Sequence, residues 1–559
     1  MAKKRVVIVG GVAGGATCAA RLRRLDEEAE IVVLDRGPYV SFANCGLPYY
    51  VGNVIREESK LLLATPALFR DRFSIEVRTR NEVTGIDREK RTVTVRELET
   101  GREYSESYDA LVLSPGAAPI CPPWPGVDLP GIFTLRTVPD SREIRNWIET
   151  KKPNKAVVVG GGFIGLEMAE NLLHRGMAVT VVELAKQVMP PLDPEMAEYA
   201  KQRLESQGVK LVLGDGVSEF GQGPGDGLVV RTQGGRSFDA DLVVLAIGVR
   251  PETKLARDAG LAMGERGGIR VDEQLRTSDE HIWAIGDAVE VRNRVTGQWE
   301  LIPLAGPANR QGRIAAGAIC GRDVRFEGVL ATAVCGFLGL TVAMTGATEK
   351  ALRRAGMKDF ECVYLHPSHH VGYYPGAKAI HMKLLFRRSD GLVLGAQAVG
   401  QEGVERRIDV IAQAIQMGAT VFDLEDAELC YAPQYGAAKD PVNLAGMIAG
   451  NAMRGDAEIA PWTELGATEA LVLDVREPHE VAAGAIPESV NIPLGQLRSR
   501  LGELPKTGEI WVTCGVGQRA YYACRILTQH GFHARNLSGG YSTYCVAESA
   551  GMVGELVRG

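Results

Sequence analysis

Short apolar runs alternate along the chain with glycine-rich turns and with segments of helical spacing. The first run, residues 6–9, leads into "GGVAGG", and an alanine-rich stretch with helical spacing follows. The same order returns in "KAVVVGGGFIGLEMAENLL". Because parallel strands joined by helices produce this order, the pattern predicts an α/β fold that contains two dinucleotide-binding (Rossmann-like) units.

The first glycine turn departs once from the GxGxxG spacing, because Val12 occupies the second glycine position. The next strand, "EIVVLD", ends on Asp35, which is placed to accept a hydrogen bond from a ribose hydroxyl. Amides at the start of the following helix would hold a pyrophosphate. The predicted binding residues of this unit are Gly10, Val12, Ala13, Gly14, Gly15 and Asp35.

The second glycine turn completes the GxGxxG spacing with Gly160, Gly162 and Gly165, and the next strand ends on Glu183. A carboxylate at this place binds the ribose of NADH and repels the additional phosphate of NADPH. Lys186 lies three residues further on and weakens this preference. We therefore predict NADH, with NADPH as the open alternative.

Composition narrows the possible partners. The chain has 559 residues, 63 basic and 69 acidic side chains and a net charge of −6, so nucleic acid is not an expected partner. No apolar run approaches the roughly 18 residues that a membrane-spanning helix needs. The ten cysteines form no CxxC pair, which favours reduced thiols and a cytoplasmic protein.

A third signal is the short apolar strand in "TSDEHIWAIGDAVE", which ends in Gly286 and Asp287. Two dinucleotide units followed by such a strand resemble the flavoproteins that bind two dinucleotides. The resemblance runs from the N-terminus to about residue 325. It implies that FAD occupies the first unit, that Asp287 binds the ribityl chain of FAD, and that the nicotinamide cofactor occupies an inserted second unit.

The stretch "SFANCGLPYY" contains a single thiol, Cys45, and the fifth residue after it is Tyr50. Relatives with a CxxxxC spacing pass electrons through an internal disulfide, which Tyr50 excludes. The resemblance implies that Cys45 faces the flavin, so its oxidised form is a sulfenic acid, a persulfide or a disulfide with a small thiol. We expect a lowered thiol pKa, supplied by a helix N-terminus and the flavin.

The motifs "GGVAGGATCAARLRRLD", "SFANCGLPYY", "LAGPANRQGR", "GYYPGA" and "YAPQYGAAKDPVN" together resemble the coenzyme A-disulfide reductases of the FAD-dependent pyridine nucleotide-disulfide oxidoreductase family. The resemblance implies a homodimer in which two tyrosines of the partner subunit, for which Tyr373 and Tyr431 are the candidates, lie near the cysteine. Tyr374 and Tyr435 remain alternatives. The coenzyme A contacts that the resemblance implies are Thr17, Arg21, Arg24, Ser41 and Asn44.

Two other chemistries receive less support. The peroxidases among the single-cysteine relatives place a histidine in the first glycine turn, where this chain has Val12 and Ala13. The run "HPSHH", residues 366–370, lacks accompanying ligands at zinc-like spacing, apart from Cys362. It therefore predicts a solvated loop.

The C-terminal segment follows a predicted linker, "DAEIAPW", and has its own α/β pattern. The apolar strand "IWVT" ends at Cys514, and the loop "CGVGQR" leads into a helix. The amides around Gly515 and Gly517 can cradle an anion, and Arg519 adds positive charge. The segment resembles a single-domain rhodanese, and the four residues between Cys514 and Arg519 favour sulfane sulfur over phosphate.

The predicted architecture is therefore α/β with two Rossmann-like domains, an α+β dimerisation domain and a C-terminal α/β rhodanese domain. Its predicted domains are FAD (1–115 and 250–322), NAD(P)H (116–249), dimerisation (323–446), linker (447–462) and rhodanese (463–559). The predicted activity is NAD(P)H-dependent reduction of sulfane sulfur in CoA persulfide or polysulfide, with the rhodanese domain delivering sulfur. The alternatives are CoA-disulfide reduction with an accessory rhodanese, and NADH oxidase or peroxidase activity.

Overall fold

The structure is a computed structural model that describes residues 3–225 and 227–553. Residues 554–559, the end of the predicted rhodanese domain, lie outside this range, as do residues 1, 2 and 226. The chain groups into two compact units, one of 1–186 with 208–331 and one of 187–207 with 332–559.

The first unit contains two parallel five-stranded sheets. One has the spatial order Ile282–Ala284, Ala110–Leu113, Arg5–Val9, Glu30–Asp35 and Glu76–Thr79. The other has the order Lys210–Leu213, Ala178–Glu183, Lys155–Val159, Leu242–Leu245 and Ile132–Thr134. The central strands are apolar throughout because both faces of such a sheet are covered; Val6, Val7 and Ile8 are fully buried.

Smaller antiparallel elements complete the first unit. Two three-stranded sheets consist of Asn81–Asp87, Thr92–Glu97 and Glu103–Ser107, and of Val217–Gln222, Leu228–Thr232 and Ser237–Ala240. Two-stranded ribbons pair Ala117–Pro119 with Val249–Pro251, and Val291–Arg292 with Trp299–Glu300. The first ribbon lies where the chain passes into and out of the second parallel sheet.

The second unit contains an antiparallel sheet and a parallel sheet. The antiparallel sheet has the order Ala333–Phe337, Leu340–Gly346, Val393–Gly400, Ile380–Phe386 and Glu361–Leu365. The parallel sheet has the order Glu458–Ala460, His533–Leu537, Glu509–Thr513, Leu471–Asp474 and Val490–Asn491. The segment predicted as a linker thus contains an edge strand of the second sheet, because Ile459 and Ala460 are buried and pair with the strand beside them.

Helices pack against these sheets, and none of those in the described residues has both the length and the apolar character that a bilayer crossing requires. Their bounds are Ala13–Leu25, Leu47–Val51, Pro66–Phe73, Val138–Lys151, Phe163–His174, Pro194–Ser206, Lys254–Asp258, Ala305–Ile319, Glu349–Arg354, Val404–Gln416, Val421–Glu425, Pro441–Met453, Pro478–Ala482, Leu494–Leu497, Gln518–Gln529 and Gly540–Ser549. Helices Ala13–Leu25 and Ala305–Ile319 approach closely, since a Cβ on Gly312 would lie 2.4 Å from the carbonyl oxygen of Gly14.

A buried lysine fixes residues 187–207 in the second unit. The Nζ of Lys383 lies 3.0 Å from Asp193 Oδ2, 2.6 Å from Glu195 Oε1 and 2.7 Å from Glu349 Oε2. Burial opposes its charge, but the surrounding carboxylates raise the pKa of Lys383 well above its ordinary value. The prediction places residues 187–207 in the NAD(P)H domain, whereas this ion cluster and the packing of Pro194–Ser206 group them with the second unit.

Candidate active site

Cys45 lies on a one-turn 3-10 helix, Asn44–Gly46, in a loop that is attached to the first glycine turn. The amide of Ser41 donates to the carbonyl of Gly11 at 2.8 Å, and the amide of Leu63 donates to the carbonyl of Ser41 at 2.9 Å. Ser41 has a positive φ of 49°, which turns the chain between these two bonds. The loop therefore holds the thiol at a fixed place relative to the predicted FAD turn.

Tyr50 fills the position where the CxxxxC relatives have their second thiol. Its side chain is buried, its hydroxyl lies 3.5 Å from Glu58 Oε2, and the guanidinium of Arg145 lies 4.6 Å from its ring centre. All ten cysteines lie in the described residues, and none of them forms a disulfide there. Cys45 thus works without an internal disulfide partner.

The electrostatics around Cys45 differ from the prediction. Cys45 is exposed, yet partial desolvation, together with the charges of Glu167 and Asp287, raises the pKa of its thiol. The protein's own groups therefore do not lower the pKa of the Cys45 thiol, and the expectation based on a helix N-terminus is wrong. The helix that follows, Leu47–Val51, is only five residues long, and its dipole does not outweigh two carboxylates and burial.

Glu167 is a residue of this site that the sequence analysis missed. It lies on helix Phe163–His174, and the hydroxyl of Tyr49 donates to its Oε1 at 3.4 Å. Burial, with a contribution from Glu170, raises the pKa of Glu167 to about 7, while Tyr49 opposes the shift. The only signal in the sequence is a glutamate two residues after the last glycine of "GGGFIG"; its contact with Tyr49, near Cys45, becomes visible only in the structure.

The two glycine turns have the shape that a dinucleotide needs. Gly10 and Gly160 have positive φ values of 91° and 110°. A Cβ on Gly15 would lie 1.8 Å from the carbonyl oxygen of Gly10, and one on Gly165 would lie 2.0 Å from that of Gly160. By contrast, a Cβ on Gly162 would meet no atom of the described residues within 4 Å, apart from its chain neighbours, so a pyrophosphate can approach the backbone of the second turn.

Val12 and Ala13 lie at the start of the first helix, with Val12 at its N-cap position and Ala13 as its first residue. Gly14, which follows, is buried against Ser114 and Ile285, each within about van der Waals contact of a Cβ placed there. The first turn is therefore tightly packed on its protein side.

Asp35 and Glu183 close the two turns in the same way. Asp35 accepts from the amides of Gly11 and Gly37, both at 2.8 Å. Glu183 accepts from the amides of Gly161 and Ala185, at 2.6 and 2.7 Å. Each carboxylate keeps free lone pairs for ribose hydroxyls, so both sites fit the dinucleotides that the sequence predicts.

Asp287 follows strand Ile282–Ala284 in a short 3-10 helix, and the amide of Gly286 beside it donates to Gln311 Oε1 at 2.6 Å. Burial raises the pKa of Asp287. Its charge acts on Cys45. The strand-end carboxylate and the thiol therefore share one region of the first unit, which fits a flavin between the glycine turn and Cys45.

The predicted coenzyme A residues divide between a helix and the cysteine loop. Thr17, Arg21 and Arg24 lie on helix Ala13–Leu25, and Thr17 donates to Asn309 Oδ1 at 2.5 Å. Desolvation and the charges of Arg313, Arg322 and Arg24 lower the pKa of Arg21. Within the described residues no carboxylate forms an ion pair with Arg21 or Arg24. Ser41 and Asn44 flank Cys45 on its loop.

Tyr373 and Tyr431 lie together on the surface of the second unit. Their hydroxyl oxygens are 2.9 Å apart, and 74% and 46% of their surfaces are exposed. The hydrogen bond between the two hydroxyls raises the pKa of Tyr431. Tyr374 and Tyr435 are also exposed.

The run "HPSHH" is not a solvated loop throughout. His366 Nδ1 lies 2.9 Å from His381 Nδ1, and His366 Nε2 lies 2.8 Å from Thr543 Oγ1. His370 is 4% exposed. The expectation is wrong because His366 bonds to Thr543 of helix Gly540–Ser549, and Tyr364 just before the run bonds to Ser538; the sequence pattern does not reveal these distant contacts.

Cys514 ends strand Glu509–Thr513 in the second unit and is 1% exposed. The amide of Gly517 donates to its Sγ at 3.1 Å, and Gly517 has a positive φ of 92°. The amide of Tyr541 donates to the carbonyl of Cys514 at 2.7 Å. Gly540 lies against this loop, since a Cβ there would be 2.3 Å from the Cys514 carbonyl oxygen. The loop is a tight cradle around one sulfur atom.

Arg519 follows this loop, but its charge is not free. Both guanidinium nitrogens Nη1 and Nη2 donate to the carboxylate of Glu480 at 2.6 Å. This pairing, more than the nearby Cys514, raises the pKa of Arg519. The prediction that Arg519 adds net positive charge to the loop therefore needs correction, because Glu480 neutralises it.

These features define a flavin- and nicotinamide-dependent oxidoreductase that also carries a sulfur-transfer loop. Family models agree: pyridine nucleotide-disulphide oxidoreductase matches residues 4–312, the dimerisation domain of that family matches 332–440, and the rhodanese-like domain matches 462–547. The chain belongs to the pyridine nucleotide-disulphide oxidoreductase family, whose members depend on FAD and NAD(H). The predicted family and fold class are confirmed.

Known proteins are similar to most or nearly all of this chain. It is 34% identical over 444 residues to coenzyme A disulfide reductase of Staphylococcus haemolyticus, which covers 79% of this chain and 98% of that protein. Reduced CoADR-RHD of Bacillus anthracis is 47% identical, with a TM-score of 0.96 over 98% of this chain and 99% of that one. The NAD-dependent persulfide reductase of A. fulgidus is 38% identical, with a TM-score of 0.89 over 97% and 100%.

Proposed function

We propose that this chain uses NADH to reduce sulfane sulfur in CoA persulfide or polysulfide to hydrosulfide at Cys45, and that Cys514 supplies the sulfur. The observation that carries the proposal is the pair of unpartnered thiols, one beside the predicted flavin turn and one in a single-atom cradle. A lone thiol suits substrates that bring their own second sulfur. The similar persulfide reductase and CoA disulfide reductases support the same chemistry.

In the proposed overall reaction, CoA persulfide, NADH and one proton give CoA, hydrogen sulfide and NAD⁺. In the step at Cys45, its thiolate forms a bond to the CoA-proximal sulfur and the sulfur–sulfur bond breaks, so that hydrosulfide leaves. This leaves Cys45 in a mixed disulfide with CoA; FAD, when bound, would supply the two electrons from NADH with which Cys45 returns to a thiolate and CoA is released. In the alternative, the Cys45 thiolate attacks the terminal sulfur of CoA persulfide.

Residues of the chain have separate proposed tasks at this step. The unpaired arginines Arg21 and Arg24 bind the CoA phosphates, while Thr17, Ser41 and Asn44 bind the pantetheine amides. Glu167, whose pKa lies near neutrality, holds a proton close to the reacting thiol. The phenols Tyr373 and Tyr431 of a partner subunit protonate the departing sulfur.

The second unit supports sulfur delivery through a small carrier such as CoA. Ser538 lies just before the Gly539–Gly540 turn, and its Oγ accepts from the amide of Tyr364 in the antiparallel sheet at 2.8 Å. The indole of Trp462 donates to the carbonyl of Ser538 at 3.0 Å. Tyr364, Trp462 and Trp511 share one buried cluster. Because the cradle is anchored in this way, we propose that the carrier moves and the domain stays in place.

A homodimer in the cytoplasm is the assembly that we propose. The match to the family's dimerisation domain and the exposed tyrosine group of the second unit support it. The ten cysteines, which form no disulfide in the described residues, fit a reducing compartment.

The second candidate function is plain CoA-disulfide reduction, which the 34–35% identity to CoA disulfide reductases favours. Oxygen reduction is a third candidate function, because the water-forming NADH oxidase of Lactobacillus brevis is 27% identical to this chain, with a TM-score of 0.77. NADH oxidation by the purified full chain with CoA persulfide, polysulfide, CoA disulfide and oxygen separates the three.

Two cysteine variants sharpen this test. We expect Cys45→Ser to reduce turnover on every sulfur substrate by at least about 1,000-fold, since it removes the nucleophile. Cys514→Ser should slow polysulfide reduction about tenfold or more and leave CoA-disulfide reduction within twofold of the wild type. Equal polysulfide rates in Cys514→Ser and the wild type would refute sulfur delivery by Cys514.

A further inference from the structure

The ion pair beside the Cys514 cradle has a fixed geometry. Arg519 makes two 2.6 Å bonds to Glu480, the bidentate arrangement that is strongest for these groups. Glu480 Oε2 also accepts from the amide of Glu477 at 3.0 Å, at the start of helix Pro478–Ala482. Arg519, more than its other neighbours, lowers the pKa of Glu480 to about 2, so the carboxylate is charged at neutral pH.

The pair lies next to the loop that a sulfur donor must enter. A Cβ on Gly515 would be 3.5 Å from Arg519 Nη2 and 3.9 Å from Glu480 Oε1. About a third of each side chain is exposed, so a donor can reach both. A donor therefore meets a neutral pair where a lone guanidinium would present a full positive charge.

Sulfur donors differ in the charge of the group that leaves. With thiosulfate, the Cys514 thiolate bonds to the outer sulfur, the sulfur–sulfur bond breaks, and its electron pair leaves with a sulfite dianion. With an alkyl persulfide, the same bond forms, a thiolate leaves with the electron pair, and the proton stays on the transferred sulfur. Sulfur transfer from thiosulfate therefore depends on a free guanidinium far more than transfer from an alkyl persulfide does. The reason is that a guanidinium binds oxyanions through its fork of N–H donors.

We propose that Glu480, by pairing with Arg519, sets the donor preference of Cys514: it disfavours oxyanion-tailed donors such as thiosulfate and favours alkyl persulfides. This inference rests on the proposed role of Cys514 as a sulfur carrier and names its donor class. Glu480 is a positioning residue, since it acts through Arg519.

The test measures sulfur transfer to cyanide by the full chain, with thiosulfate and with glutathione persulfide as donors. In Glu480→Gln the ratio of kcat/KM for thiosulfate to that for the persulfide should rise at least tenfold, mainly through a lower thiosulfate KM. Glu480→Asp, which keeps the charge, should restore much of the wild-type ratio. Glu503→Gln breaks the exposed pair with Arg500 on the same domain and should leave the ratio unchanged.

The outcomes separate the inference from the function beneath it. An unchanged ratio in Glu480→Gln, or an equal loss with both donors, would overturn the inference and leave Cys514 as the carrier. Absence of Cys514-dependent transfer from either donor in the wild type would overturn the proposed function itself. If Glu480→Gln does not fold, Arg519→Gln provides the second test, because removal of the cation should lower the thiosulfate-to-persulfide ratio further; a ratio that stays level or rises refutes the inference.

Discussion

The two unpartnered thiols lie in opposite surroundings. Cys45 is exposed, and its neighbours Glu167 and Asp287 are acidic, whereas Cys514 is 1% exposed and receives a backbone amide on its sulfur. Carboxylates disfavour a thiolate, and amide donors favour one. The comparison teaches that the protein's own backbone already supplies a donor to the sulfur of Cys514, while Cys45 depends on what binds beside it.

Among the changes to the surroundings of the two thiols, the largest expected effect comes from filling the cradle of Cys514. Gly540→Ala would place a Cβ 2.3 Å from the Cys514 carbonyl oxygen and 2.8 Å from the amide of Gly517, at a φ of 61°. We expect sulfur transfer to cyanide to fall by about 100-fold or more, because the loop must shift. NADH-dependent reduction of CoA disulfide should stay within twofold.

Gly502→Ala is the matched control, because a Cβ there meets nothing within 4 Å. If Gly540→Ala transfers sulfur as fast as this control, the tight cradle does not matter for Cys514.

A smaller effect concerns the support of the cradle at low pH. Burial lowers the pKa of His366 to about 3 and that of His381 to about 4. A histidine with a lowered folded-state pKa contributes stability above its unfolded value near 6.5 and loses it as the pH falls towards the folded value. We expect each buried histidine to remove about 2 kcal/mol of local stability between pH 7 and pH 5.

Hydrogen exchange of the amides in Gly540–Ser549, corrected for intrinsic rates, measures this change. In His381→Phe, which keeps a ring against Tyr199, the loss between pH 7 and pH 5 should shrink. His533→Gln, at an exposed histidine of the same domain, should behave as the wild type. Identical pH profiles for both variants would show that the histidine pair does not support the cradle.

The smallest expected effect tests whether the surroundings of Cys45 are acidic. Glu167→Gln removes a negative charge that raises the pKa of the Cys45 thiol, so this pKa should fall and alkylation at neutral pH should become faster. The pH dependence of iodoacetamide labelling of Cys45 in a Cys514→Ser background measures it. Glu143→Gln, at an exposed site, is the control; a slower reaction in Glu167→Gln would contradict the acidic environment.

The sequence patterns predicted the fold class and family, because glycine turns, strand-end carboxylates and the cysteine loops are local features that one segment contains. The domain limits and site residues remain predictions, although the structure brings Cys45 and Asp287 into one region. What depends on distant contacts was missed. Glu167 approaches Cys45 only through folding, and Glu480 neutralises Arg519 from 39 residues away in the chain.

The buried lysine cluster has a consequence for any attempt to divide the chain. Asp193 and Glu195 are encoded between two stretches of the first unit, but their cation, Lys383, comes from the second. A polypeptide cut after residue 331 would keep these two acids in its first fragment without their counter-ion. Any cut between Glu195 and Lys383 therefore leaves buried carboxylates in one fragment and their cation in the other, so a break in that stretch should destabilise both fragments.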